Sequence, residues 1–143
     1  MITEAPKIIG LITAWGAEHW VGAAVEQALE ICDEVIVSVD CHIAELAKYE
    51  DATEQIVKEY SNVKLIQRMD LSAPLLVENR AHVLNEMLRH AELYKPGNWI
   101  WILDADEFYT PEMVSEIRRL ISLQKYTLIS VTEKAFFINT QWY

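Results

Sequence analysis

The sequence predicts an α/β domain, with a mainly parallel sheet covered on both faces by helices in a three-layer α/β/α sandwich. Three observations carry this expectation. Short β-branched and apolar runs alternate along the chain with longer stretches of helical periodicity. Several of the strand-like runs are apolar throughout, as strands covered on both faces are. The 143 residues suit one domain over 1–143, and a domain of that length buries roughly 68–70% of its unfolded surface without staples.

The elements follow in order. Residues 7–13 are a short β-rich run. Residues 19–32 repeat apolar side chains at helical spacing, with Val21, Ala24, Val25, Ala28, Leu29 and Cys32 on one face. Residues 34–39 read as a buried strand. Residues 43–60 are charged and helix-favouring, with Leu46, Tyr49, Ile56 and Tyr60 as sparse anchors. A third strand is expected over 63–67, and Ser72 and Pro74 mark a connector at 70–75. A strong helix over 76–93 turns Val77, Ala81, Leu84, Leu88 and Ala91 inward and stops at Lys95-Pro96-Gly97. The fourth strand is 98–103. Thr110 is the expected N-cap of the next helix, with Pro111 at its first position; Val114, Ile117, Leu120 and Ile121 form its inner face. Residues 126–132 are read as a fifth strand and 135–142 as a sixth.

Composition narrows the function classes. Asp and Glu outnumber Lys and Arg by 22 to 12, a formal charge of −10. That field disfavours nucleic acid and anionic membranes, and an anionic substrate needs a local cation to overcome it. No apolar run approaches the roughly 20 residues of a membrane span. The N-terminus lacks the basic stretch of a signal peptide, and Cys32 and Cys41 form no CxxC pair. A cytoplasmic protein is the expectation.

The most informative stretch is 99–107, Trp-Ile-Trp-Ile-Leu-Asp-Ala-Asp-Glu. An apolar strand has no use for carboxylates unless something compensates their charge. Where such a strand surfaces, Asp104 and Asp106 are suited to a hard divalent cation, Mg²⁺ or Mn²⁺, that leaves positions for phosphate oxygens. Ligands of parallel sheets bind beyond the carboxyl ends of the strands. The topology therefore gathers Thr13, Ala14 and Trp15 from the first strand, Asp40 from the second, and Asp104, Ala105 and Asp106 from the fourth. Arg80, next to Asn79 on the long helix, suits bidentate contact with a phosphate and equally a pairing with Glu78 or a site acid. Bland alternatives stand beside each reading. Asp-x-Asp also occurs in solvated turns, and Asp40 also fits a turn. Trp15 is suited equally to stacking on a nucleobase and to capping the core. Glu107 is either a supporting group or a solvated acid. Trp99 and Trp101 alternate in a strand and are expected to pack. His19, His42, His82 and His90 lack metal-site spacing.

Together these motifs resemble the family-2 glycosyltransferases of the GT-A fold, over about residues 7–120. The run 12–18 stands where that family has its first-strand loop, with Trp15 at the aromatic position, Glu18 at the last acid and Gly16 in place of the usual Asn. The run 35–40 matches an apolar strand ending in Asp, followed by Cys41-His42-Ile43 rather than Asp-Gly-Ser. Asn79-Arg80 and then 99–108 look like the family's Arg/Asn helix and Asp-x-Asp motif. The resemblance implies a Rossmann-like GT-A sheet and a UDP- or GDP-linked sugar donor. It implies a metal-bridged diphosphate on Asp106, ribose or metal-shell contact through Asp104, base recognition by Asp40, and inverting transfer. It leaves the catalytic base and the acceptor unassigned, because little chain follows Asp106. A truncated or minimal donor-binding half, or completion by an oligomer or partner chain, is the expectation.

Two other readings compete. A haloacid-dehalogenase-like phosphohydrolase also places Asp-x-Asp after an apolar strand, with the first Asp as nucleophile, but on the first strand and with Thr or Val where Phe108 stands. A non-catalytic nucleotide-binding module is the other.

Overall fold

Strand β1 (Ile8–Thr13) is the organising element, and its run of Ile, Leu and Gly is buried at every position except the last. The computed structural model describes residues 5–41, 48, 51–67 and 76–131. After β1 come α1 (Val21–Ile31), β2 (Glu34–Ser38), α2 (Thr53–Lys58), β3 (Lys64–Ile66), α3 (Leu76–Arg89), β4 (Trp99–Asp104) and α4 (Pro111–Ser122). The four strands form one all-parallel sheet in the order β3-β2-β1-β4. The fold is thus α/β with a parallel sheet, as the alternation of elements predicts.

Side chains leave opposite faces of a strand alternately, and the core divides accordingly. Ile8, Ile12, Val35, Val37, Trp101 and Leu103 pack with Val21, Val25 and Ala28 of α1, Val57 of α2, and Ile117 and Ile121 of α4. Ile9, Leu11 and Ile36 pack with Val83 and Met87 of α3. Each fully buried Val, Leu or Ile is worth about 1.5–3 kcal/mol. An exposed ion pair contributes about 0–1 kcal/mol, so these two clusters hold the sheet together. Along β4, Trp101 and Leu103 are buried, whereas Ile100 and Ile102 are exposed.

Polar side chains tie the amino-terminal edge. Asp33 accepts from the backbone N–H of Ile8 at 2.9 Å, and Arg118 donates to the last carbonyls of α1, Glu30 and Ile31. Thr110 caps α4 by accepting from the Met113 N–H at 3.3 Å, with Pro111 following, as expected.

Four expectations are corrected. The long helix α3 buries Val83 and Met87, with Leu84 and Leu88 partly buried beside them, and leaves Ala81 exposed. The long helix over 43–60 is, among the described residues, only Thr53–Lys58. Asp51 folds its carboxylate onto the Thr53 N–H at 2.9 Å, a local bond that competes with helix and starts a new one. The part at 42–47 and 49–50, with Leu46 and Tyr49, lies outside the described residues. The helix over 76–93 stops at Arg89, because the N–H groups of Glu92 and Leu93 turn to the Glu34 carboxylate at 2.9 and 2.8 Å. The fifth strand is absent over 126–131. That segment packs Ile129 and Val131 on the core and, with β4, lines a groove of about 930 Å³. Thr132, the connector at 70–75 and the sixth strand at 135–142 lie outside the described residues. Among the described residues, no helix is long and apolar enough to cross a membrane.

Candidate functional site

Because all four strands run the same way, their carboxyl ends share one edge. Thr13 is the register partner of both Ser38 and Asp104. The pairing continues past the strands, with the Ala14 N–H on the Ser38 carbonyl at 2.9 Å and the Val39 N–H on the Ile66 carbonyl at 3.1 Å. Ala14 is buried there. Asp40 is buried just beyond β2 and accepts from Ser38 Oγ at 3.2 Å.

The acidic stretch itself is a tight turn. The Glu107 N–H donates to the Asp104 carbonyl at 3.1 Å, the closing bond of a β-turn. Glu107 Oε2 accepts in return from the Asp104 N–H at 3.1 Å. This reciprocal pair places Ala105 inward and Asp106 outward at the tip, one buried and one exposed. The Glu107 carboxylate is thus bonded within the turn itself.

Asp104 is the meeting point of three elements. Its Oδ1 accepts from Thr13 Oγ1 of β1 at 3.0 Å and from an Arg80 guanidinium nitrogen of α3 at 2.7 Å. Both partners of the ion pair are partly exposed, 42% for the Arg80 side chain and 37% for that of Asp104. Asn79, beside Arg80, is buried.

The first-strand loop is held differently from the way the motif suggests. Gly16 takes φ +62°, the left-handed region open to Gly and Asn, so Gly in place of Asn keeps that conformation accessible. Glu18 turns to the start of α2: its Oε2 accepts from the Ala52 N–H at 3.1 Å, and its own N–H donates to Asp51 at 3.1 Å. The Ala17 N–H donates to Thr53 Oγ1 at 2.9 Å. Trp15 is half-buried and packs on the core. The structure thus joins Thr13, Arg80 and Asp104 directly and sets Ala14 and Asp40 beside them on the sheet edge. It ties Glu18 to α2 and Trp15 to the core.

Several residues that hold this edge carry no sequence signal. Gln27 of α1 donates to the Glu107 carbonyl at 3.3 Å and accepts from the Tyr109 N–H at 2.7 Å, clamping both ends of the segment after the turn. A Gln on the shoulder of a helical stripe looks like any solvated residue. Tyr109 meets Trp101 edge-on at 4.9 Å between ring centroids. Trp20 and Phe108 form an exposed tilted pair at 6.4 Å.

The two acids of the motif set limits on a metal. Among the described residues, no group of three or more His, Cys, Asp or Glu side chains is arranged to hold one. Asp104 and Asp106 offer hard oxygen donors without a cage, a set that fits Mg²⁺ or Mn²⁺ sharing its shell with phosphate and water. Asp40, Arg80, Asp104 and Asp106 do not line the groove beside β4.

Compared with models of protein families and with curated proteins, the chain finds no match.

Proposed function

We propose that this chain is the nucleotide-sugar-binding part of a metal-dependent glycosyltransferase, built on a three-layer GT-A-like arrangement. It takes a UDP- or GDP-linked sugar and transfers the sugar to an acceptor with inversion. The observation that carries this reading is the convergence of Thr13, Arg80 and Asp104 beside the exposed Asp106. Carboxylates and a guanidinium stand side by side at the strand ends, where ligands of parallel sheets bind. A diphosphate needs positive charge that this acidic chain does not supply in bulk.

In this reading Asp106 and Asp104 hold Mn²⁺ or Mg²⁺, and Arg80 faces the phosphates. Thr13 orients the Asp104 carboxylate. Ala14 and Asp40 border the nucleoside. When bound, the ion supplies Lewis-acid stabilisation of the charge that develops on the leaving nucleoside diphosphate. A cytoplasmic setting, in which the thiols of Cys32 and Cys41 stay reduced, belongs to the same proposal. The phosphohydrolase alternative asks Asp104 to attack phosphorus; the hydrogen bonds from Thr13 and Arg80 to its Oδ1 favour a binding role instead.

The test is a thermal-shift screen of UDP, GDP and their sugars with and without Mn²⁺. A ligand that binds only the folded state stabilises it by about 2.7 kcal/mol at a hundred times its Kd. The expected result is a shift that requires metal and disappears in Asp106→Ala. No shift with any nucleotide, or an unchanged shift in the variant, overturns the reading.

A further inference from the structure

The Arg80–Asp104 ion pair has a consequence for the order in which ligands assemble. Arg80 donates at 2.7 Å to the same Asp104 oxygen that accepts from Thr13. While that pair stands, the guanidinium offsets the charge of one of the acids at the turn, and a divalent cation approaching Asp104 meets a positive neighbour. The pair is also partly exposed on both sides, and ion pairs of that kind are weak enough to exchange readily. A phosphate group offers a guanidinium a better-matched bidentate partner than a single carboxylate oxygen does.

We propose that Arg80 is a latch that couples metal binding to nucleotide binding. Without ligand, Arg80 sits on Asp104 and weakens the site for a bare cation. An arriving nucleoside diphosphate takes Arg80 onto its phosphates, and the released Asp104 carboxylate joins Asp106 around the cation. Metal and nucleotide then strengthen one another's binding by the same factor, as linkage requires. The inference rests on the donor-site reading and adds to it a positioning role for one residue.

The latch makes a prediction of opposite signs that a merely structural Arg80 does not. In Arg80→Gln, Mn²⁺ alone, followed by calorimetry or electron paramagnetic resonance, binds several-fold tighter than to the wild type, because Asp104 is unmasked. UDP or GDP in the presence of Mn²⁺ binds the same variant at least about tenfold more weakly, within the usual range of such couplings. The mirror variant Asp104→Asn frees Arg80, so metal-free UDP or GDP binds tighter than to the wild type while its dependence on Mn²⁺ falls. The mirror variant keeps the test open if Arg80→Gln fails to fold. Unchanged or weakened binding of Mn²⁺ alone in Arg80→Gln overturns the latch, as does unchanged or weaker metal-free nucleotide binding in Asp104→Asn. If the wild type binds nucleotide with Mn²⁺ and these shifts are missing, only the latch falls. If the wild type binds no nucleotide, the donor-site reading falls and the latch with it.

Discussion

Thr13 and Asp104 face each other at the ends of β1 and β4 as register partners, and the Thr13 hydroxyl donates to the Asp104 carboxylate at 3.0 Å. They stand 91 residues apart in the chain. The bond orients a carboxylate that an all-apolar strand delivers to the surface, and it is available because β1 ends in a hydroxyl rather than another aliphatic side chain. Thr13→Val keeps the shape and removes the donor. The expected outcome is a loss of about 0.5–1.5 kcal/mol in urea denaturation and a several-fold loss of Mn²⁺-dependent nucleotide affinity, with Thr13→Ser restoring most of the latter.

Gln27 uses both ends of its amide on the backbone that follows the acidic turn. Gln27→Met fills the same space without the polar atoms and leaves the Tyr109 N–H without that acceptor. A destabilisation of about 1 kcal/mol is expected for one lost bond of this kind. Amide hydrogen exchange is the sharper readout: it accelerates at Tyr109, while the N–H groups of β1 stay protected. Equal acceleration across both segments would show that Gln27 supports the whole fold rather than the turn.

Gly10 lies in the middle of β1, where α1 ends against the sheet. A Cβ built there stands 2.9 Å from Cys32 Sγ and 3.4 Å from Cys32 Cβ. Gly10→Ala therefore overpacks the site and is expected to destabilise by about 1–3 kcal/mol. Cys32→Ala removes the sulfur atom, so the double variant loses less stability than the two single changes added together. Strict additivity in chemical denaturation would refute the clash.

Stability at acid pH follows from Asp33, Glu34 and Asp51. Burial works against their charge, but hydrogen bonds outweigh it: from Ile8 and Lys7 to Asp33, from Lys64, Leu93 and Glu92 to Glu34, and from Thr53 and Glu18 to Asp51. All three are held below their ordinary values of 3.8 for Asp and 4.5 for Glu. A carboxylate whose folded pKa is depressed contributes stability above its unfolded pKa and loses it as pH falls through the folded one. The melting temperature is expected to fall once the pH drops below about 4.5, and Glu34→Gln makes that fall shallower. At the other end, burial, reinforced by Asp33, pushes the Cys32 thiol up to about 12. Iodoacetamide at pH 8 is expected to leave it unmodified in the native protein and to label it on unfolding.

Hydrophobic period made most of the elements legible. The apolar runs at β1, β2 and β4 and the stripe of α1 follow from burial alone, which recurs at fixed spacing along the chain. Boundaries failed where a polar side chain intervened. Asp51 bonds forward and breaks a run that reads as one helix, and Glu34 takes the N–H groups of Glu92 and Leu93 and ends α3 early. The segment over 126–131 has strand composition but forms no strand, because strand propensity depends on packing context rather than on composition alone.

By itself the sequence determined an α/β chain with parallel strands, and it marked Thr13, Asp40, Asp104 and Asp106 as residues of one edge and Arg80 as a phosphate partner on the long helix. Apolar periodicity and the rule for parallel sheets reach that far, because both depend on local pattern. The tertiary structure alone decided which of those residues touch. Arg80 and Thr13 meet on one oxygen of Asp104, Glu107 closes the turn, Gln27 clamps it from another helix, and Glu18 goes to α2. Those contacts join segments far apart in the chain, and their partners depend on strand register and helix placement.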